Sequence, residues 1–219
     1  MLTITNIRNN AAIKTYIAKA DEALIALGYT EHSFAHVTKV ADFAQRLLLD
    51  LGYDKRKAEL AWIAGYLHDI GNVINRIDHA QSGAVMAFRI LDKLEADAEE
   101  LSTIVSAIGN HDESTAFPVN EVAAALILAD KTDVRRTRVR NPDFATFDIH
   151  DRVNYAVKQA NTYLTQDHMA IVLELDIDSS ISSVMDYFEI FLHRMLLCRK
   201  AAEKLSLKFK LIVNGQNLM

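Results

Sequence analysis

The stretch AGYLHDIGN, residues 64–72, places the tightest constraint on how this chain can fold. An apolar run typical of a core helix ends in His68 and Asp69, and Gly71 follows closely. Because a buried polar group costs free energy unless it has a partner, these two side chains need one. We therefore expect other elements of the fold to bring polar or metal partners to this point.

Helical spacing of apolar residues runs through most of the chain. The pattern predicts helices over residues 13–27, 33–51, 54–70, 79–94, 101–108, 120–131 and 150–164. Asp54, Asp78 and Asn120 are suitable N-caps for three of them. The two prolines and seven glycines leave little room for linkers. A helical bundle is the expected main architecture.

The pattern changes near the C-terminus. Residues 170–178 and 205–213 alternate apolar and polar positions, as strands with one buried face do. Residues 181–202 between them are an amphipathic helix, and Glu174 and Asp176 are expected beside Lys208 and Lys210. The predicted fold class is mainly α with a small C-terminal strand-helix-strand (α+β) addition. Residues 1–166 would form the helical domain, and residues 167–219 would pack on it or form a homodimer surface.

Composition and charge limit the partners and the cellular location expected for the protein. A net charge of −5 argues against binding nucleic acid through bulk charge. The single cysteine, Cys198, excludes an intrachain disulfide and suits a reducing compartment. The first ten residues lack the apolar core of a signal peptide, and the sequence has no apolar run long enough to cross a membrane. The expected location is cytoplasmic.

Other histidines and carboxylates sit on similar helical segments. In chain order they are His36, His68, Asp69, His79, His111 and Asp130. Imidazoles and carboxylates bind borderline divalent metals such as iron, manganese and zinc. Neighbouring helix residues differ by about 100° in direction, so His68 and Asp69 can reach one ion from one turn. A metal ion, or a pair of them, is therefore the expected partner.

These residues and their motifs resemble those of the HD-domain metal-dependent phosphohydrolases. The resemblance covers about residues 30–135 and includes LHDIGN, HAQSGA, AIGNHDE and ILADKTD. It implies a helical HD-domain bundle in which a first ion is held by His36, His68, Asp69 and Asp130. It also implies a second ion held by His79 and His111, with Asp69 as a bridging, catalytic carboxylate that positions the nucleophilic water. Asn72 departs from the family pattern, in which lysine is common there.

Residues near these motifs could bind substrate or support the ligands. Substrate-binding roles are expected for Lys131, Arg135 and Arg136, because cationic groups suit phosphate oxygens. They are also expected for His32, one turn before His36, and for Arg76, in the loop between His68-Asp69 and His79. Asp112 and Asp133 are expected to orient ligands or cations. His150, His168 and His193 lie outside the pattern and are given no role.

The sequence favours a metal-dependent phosphohydrolase that cleaves a phosphomonoester or phosphodiester of a small, nucleotide-like substrate. The cofactor would be one or two divalent ions, of iron, manganese, cobalt, nickel or zinc. The same six ligands also resemble those of HD-type mixed-valent diiron oxygenases, such as myo-inositol oxygenase, which is a first alternative. A non-catalytic metal- or nucleotide-dependent binding module is a second.

Overall fold

The computed structural model describes residues 2–219, and these form nine α-helices and four β-strands. The helices are α1 Ile4–Asn9, α2 Ala11–Ala26, α3 Phe34–Asp50, α4 Lys55–Leu67, α5 His79–Lys93, α6 Ala98–Gly109, α7 Glu121–Lys131, α8 Ile149–Ala156 and α9 Val184–Lys204. The strands are β1 Val157–Leu164, β2 Ala170–Ile177, β3 Lys208–Val213 and β4 Gln216–Asn217. The predicted fold class is confirmed. Among the described helices, none is both long and apolar enough to span a membrane.

Side-chain caps set where the central helices begin. Ser33 accepts a hydrogen bond from the backbone of Ala35 at the start of α3, and Asp54 accepts one from Lys57 at the start of α4. Asn120 caps α7 in the same way. Each cap satisfies backbone N–H groups that a helix start would otherwise leave free. Asp78 precedes α5, but its side chain makes no capping hydrogen bond.

Helix α4 is the centre of the bundle and packs against α3, α6 and α7. Every residue from Leu60 to Leu67 is buried. Gly65 allows the close approach of α3, because a Cβ there would lie 2.8 Å from the Cα of Ala41. The apolar run that the sequence marks as a core helix is therefore confirmed as one. It ends at Leu67 rather than near Ile70, where a short 3₁₀ turn, Ile70–Val73, follows.

The strands form one sheet in the order β1-β2-β3-β4. β1 and β2 are antiparallel, β2 and β3 are parallel, and β3 and β4 are antiparallel. Two sequence predictions are wrong here. Residues 157–164 are a strand rather than the end of a helix. Glu174 also pairs with Ile212 rather than lying beside a lysine, because α9 returns the chain for a parallel pairing and this sets a different register.

Helix α9 joins the sheet to the bundle. It packs on α7 and also contacts α8, β2 and β3. Tyr187, Phe191, Met195 and Cys198 are buried on this helix. The sheet begins with β1, ahead of the predicted boundary at residue 167. The division into residues 1–166 and 167–219, and a homodimer through the second part, stay predictions.

Candidate metal centre

Six side chains from five segments of the chain meet at one buried point, which we call the metal cluster: His36, His68, Asp69, His79, His111 and Asp130. The Nε2 atom of His36 lies 3.3 Å from Asp130 Oδ1 and 3.6 Å from Asp69 Oδ2. The Nε2 atom of His68 lies 3.1 Å from the same Asp69 oxygen. The structure thus brings together the whole ligand set that the sequence predicts.

The second half of the metal cluster gathers around the other oxygen of Asp69. Asp69 Oδ1 lies 3.6 Å from the Nε2 atom of His79, which is itself 3.2 Å from the Nε2 atom of His111. Asn72 donates its side-chain amide to the same oxygen, at 2.9 Å. The two oxygens of Asp69 therefore face different histidines, as a bridging carboxylate requires.

The four histidines of the metal cluster all have their Nδ1 atoms held by an oxygen. His68 Nδ1 lies 2.7 Å from the carbonyl of Gly65, and His111 Nδ1 lies 2.6 Å from the carbonyl of Ile108. His79 uses the carbonyl of Arg76 and His36 uses the Asp133 carboxylate. A proton on Nδ1 donates to each acceptor, which leaves a lone pair on every Nε2. Metal-binding histidines are oriented in this way.

Gly71 allows Asp69 and His79 to lie close together in the metal cluster. Gly71 lies in the 3₁₀ turn directly after Asp69 and packs against the start of α5. A Cβ on it would collide with the carbonyl oxygen of His79 and would lie 2.5 Å from the backbone nitrogen of Gly83. Only a residue without a side chain fits between Asp69 and His79.

The residues present fit a divalent metal. Within residues 2–219, the buried atoms His36 Nε2, His68 Nε2 and Asp69 Oδ2 have no hydrogen-bond partner. Ligand atoms at about 2.1 Å from one ion stand about 3 to 4 Å apart, which matches the separations in the metal cluster. Two groups, His36-His68-Asp130 and His68-Asp69-His111, each place their ligand atoms within 4.8 Å of one another. A metal ion bound here would supply the partner that His68 and Asp69 require.

Electrostatics keeps His111, Asp69 and Asp130 in the forms that bind metal. Burial lowers the pKa of His111 well below its ordinary value, so its ring is neutral. Burial alone would raise the pKa of Asp69, but the neighbouring His68 holds it well below its usual range. Burial would likewise raise the pKa of Asp130, but the Lys131 ammonium, the hydrogen bond with His36 and the neighbouring His68 together hold it well below its usual range. Metal ligands need neutral imidazoles and ionised carboxylates.

Asp133 supports the metal cluster from behind. It is fully buried and accepts from His36 Nδ1 at 2.8 Å, Lys39 Nζ at 2.6 Å and Arg135 Nε at 2.8 Å. Arg138 lies beside it, with Nη1 3.9 Å from the carboxylate. Burial would raise the pKa of Asp133, but the hydrogen bonds from His36 and Arg135 hold it well below its usual range. Asp112 is less closely placed, with Oδ2 3.6 Å from His79 Nδ1.

A cavity of about 490 Å³ opens onto the metal cluster. Asp69, His79, His111 and Asp130 lie at its buried end, which we call the inner end. Its remaining lining comes from Leu27 to Thr30, His32, Arg76, Glu113, Lys131, Arg138, Asp148, His150, Asp151, Asn154, Phe191 and Arg194. We call Asp148, His150, Asp151 and Asn154 the outer wall. A small molecule of moderate size fits such a volume.

The predicted substrate-binding residues separate into two groups. Lys131, His32 and Arg76 line the cavity, as expected for groups that touch a substrate. Arg135 and Arg136 are not among the residues that line it in the part of the chain described. Arg135 is paired with Asp133 and Glu31, and Arg136 donates to the backbone of Tyr155 and covers its ring. Of the arginines that follow α7, Arg138 lines the cavity while Arg135 and Arg136 do not, because their side chains point in different directions.

Some cavity residues could not be found from the sequence. Arg194 of α9 donates to Glu113 Oε1 at 3.1 Å, and Lys131 Nζ lies 2.6 Å from Glu113 Oε2 and 2.8 Å from Asp130. His150 received no role in the sequence analysis, yet it belongs to the outer wall. Arg194 and His150 are brought to the site by contacts of α8 and α9 that are distant in sequence. No local motif marks them.

Comparison with known proteins agrees with the geometry. Residues 33–135 match the family model described as the HD domain. An uncharacterized protein of Methanocaldococcus jannaschii is 27% identical over an alignment of 164 residues, and the match covers 64% of this chain and 63% of the relative. The matched region thus spans less than two thirds of that relative. The HD-domain match begins at Ser33, the cap of α3, and ends just after Asp133, so it contains the whole metal cluster.

Proposed function

We propose that this protein is a metal-dependent phosphohydrolase acting on a small phosphate ester, because residues 33–135 match the family model of the HD domain, whose members are typically metal-dependent hydrolases. The observation that carries the proposal is the metal cluster beside a cation-lined cavity. His36 Nε2, His68 Nε2 and Asp69 Oδ2 are aimed at one point without protein partners in the described residues. The substrate is proposed to be a phosphomonoester or phosphodiester, with a nucleotide-like molecule as the first class to test.

The proposed ligand roles divide the metal cluster between two ions. His36, His68, Asp69 and Asp130 would hold the first, and His79 and His111 the second, with Asp69 shared. When bound, a divalent ion supplies Lewis acidity, which activates water near neutral pH and offsets phosphate charge. The Asp69 carboxylate, fixed by Asn72, would also orient the attacking water by accepting its hydrogen bond.

Cationic side chains would hold the phosphate. Lys131 is buried, and although burial would lower its pKa, Asp130 and Glu113 raise it, so the ammonium stays charged. Arg76 donates to Asn72 Oδ1 at 3.3 Å and lies over the ring of Tyr29. Arg194 approaches from α9. These groups would bind phosphate oxygens and keep the ester oriented for in-line attack.

His32 lies at the same end of the cavity. Its Nδ1 atom is 2.7 Å from the carbonyl of Thr30, and its ring is 5.5 Å from the ring of His36. Held in this way, its Nε2 is free to accept a hydrogen bond from substrate or water. The oxygenase alternative depends on the same six ligands, and no observation on residues 2–219 favours it over hydrolysis.

The test combines metal content with turnover. Protein purified without added metal or chelator is analysed for metal, then loaded with iron, manganese, cobalt or nickel and assayed on phosphomonoesters and phosphodiesters. We expect Asp69→Asn to lose metal and about 10³-fold of activity, since a bound metal contributes several kcal/mol to the transition state. Asp176→Asn, an exposed carboxylate on β2, is the control and should match wild type. Loaded wild-type protein inactive on the whole panel would contradict the proposal.

A further inference from the structure

The outer wall comes from a segment outside the matched family region. Asp148 is the N-cap of α8, and Asp151 and Asn154 follow at intervals of three residues. Side chains at this spacing share one side of a helix. That side lines the same cavity as the metal cluster, with His150 beside it. The wall therefore faces any molecule whose other end lies at the inner end.

The outer wall is rich in hydrogen-bond acceptors with unused capacity. Asp148 accepts from the backbone of Asp151, and Asp151 accepts from the side chain of Asn141 at 3.3 Å. A carboxylate offers about four lone-pair sites, so each retains acceptor positions. Within residues 2–219, neither carboxylate forms an ion pair with a protein cation. Asp148 is exposed and Asp151 half-buried, so both are accessible to a ligand.

The inner end is surrounded by cationic side chains, in contrast to the acidic outer wall. Lys131 and Arg138 are buried, and Arg76 and Arg194 are half-buried, around the metal cluster. Asp69, which lines this end and is buried, has an Oδ2 atom without a hydrogen-bond partner in the described residues, and this atom points to a ligand at the inner end independently of the wall. The cavity thus has a cationic, metal-binding inner end and an acidic outer wall.

We propose that the outer wall selects phosphate esters whose far end carries hydroxyl or ammonium groups and rejects those whose far end is a second anion. The proposal rests on the proposed function only in placing phosphate at the inner end. Hydroxyl and ammonium groups donate to Asp148 and Asp151, whereas a second phosphate or a carboxylate meets two uncompensated negative charges. The substrate class is a polyhydroxylated or amino phosphate monoester with its anionic charge at one end.

Three phosphonates test the proposal, because their carbon–phosphorus bond is not a hydrolysable ester. They are 6-aminohexylphosphonate, 6-hydroxyhexylphosphonate and 6-phosphonohexanoate, which differ in the far group. Calorimetric titration of manganese-loaded wild-type protein should give a dissociation constant at least about tenfold weaker for the carboxylate than for the hydroxyl compound, since like charges close together in a partly desolvated site repel strongly.

The double variant Asp148→Asn, Asp151→Asn should reduce that ratio to about threefold or less. Asparagine keeps the N-cap of α8, so the helix is retained. Asp176→Asn changes the charge equally on a distant strand and should leave the ratio unchanged.

Equal binding of the carboxylate and hydroxyl compounds by wild type, or an unchanged ratio in the double variant, would overturn the proposal and leave the phosphate site standing. Failure of all three phosphonates to bind wild type at millimolar concentration would instead remove the phosphate site, and the selectivity proposal with it.

Discussion

The inner end of the cavity and its outer wall differ in how their side chains are held. At the inner end, His79 and His111 are buried and each ring is fixed by a hydrogen bond from Nδ1. On the outer wall, His150 is exposed on α8, a helix of eight residues, and Asp148 is exposed as its N-cap. The difference indicates that position is fixed where the chemistry takes place, while the wall can change its residues without disturbing the core.

A substitution at Gly71 is the strongest test of whether the inner end is rigidly packed, and it has the largest expected effect. Gly71→Ala should destabilise the protein by at least about 3 kcal/mol, because the new Cβ meets backbone atoms of α5 that cannot move aside. It should also weaken metal binding by displacing His79. Chemical denaturation and metal analysis measure both effects.

Gly109→Ala is the matched control for that variant. Gly109 lies two residues before His111, as Gly71 lies two residues after Asp69, but a Cβ on it would make an ordinary contact 3.5 Å from the Cβ of Ala84. This variant should be neutral or slightly stabilising. If the two alanine variants were equally stable, the inner end would not be packed as rigidly as the comparison requires.

Substitution of the carboxylates that contact the metal-cluster histidines should have a smaller effect, on metal affinity. Asp133→Asn should weaken metal affinity by about 10- to 100-fold, since the carboxylate orients His36 and an amide orients it less well. Asp112→Asn should have less effect, because His79 Nδ1 lies closer to the carbonyl of Arg76, at 3.0 Å, than to Asp112. Titration of metal-stripped protein with manganese measures the two affinities. Equal losses would show that distance from the ring does not decide the role of a supporting carboxylate.

The smallest expected effect is on phosphate binding and comes from Arg194, which lines the cavity from α9. Arg194→Ala should weaken binding of inorganic phosphate to manganese-loaded protein by about tenfold, as expected from losing a charged hydrogen bond. Arg199→Ala, an exposed arginine on the same helix, should bind phosphate as wild type does. Calorimetry measures both, and identical constants for the two variants would leave α9 without a part in the site.

The metal cluster could be predicted from the sequence because each ligand lies in a local motif on a recognisable helix. The predicted N-caps were equally local signals: Asp54 and Asn120 cap their helices, whereas Asp78 makes no capping hydrogen bond. The cavity beyond the ligands could not be predicted in the same way. Arg194 lies 81 residues from its partner Glu113, and only the packing of α9 on α7 brings them together.

Strand β1 shows a second reason why part of the fold could not be predicted from the sequence. Val153, Ala156, Val157, Ala160 and Leu164 fit a helical stripe, which is why a helix was predicted over residues 150–164. The chain leaves the helix after Ala156, because residues 157–164 pair with β2. Pairing with the next strand along the chain outweighed a local helical preference, as tertiary contacts commonly do. The same holds for the arginines after α7, since only the fold decides that Arg138 reaches the cavity while Arg135 and Arg136 do not.

The hydrogen bonds to Nδ1 have a consequence for how the site tolerates mutation. His68, His79 and His111 are anchored by main-chain carbonyls, of Gly65, Arg76 and Ile108, which every amino acid supplies. A single codon change can delete the anchor of His36, which is a side chain, but cannot delete the other three. Mutation can therefore change the orientation of the His36 ring by changing Asp133. The other three histidines keep their hydrogen-bond acceptors unless the histidine itself is replaced.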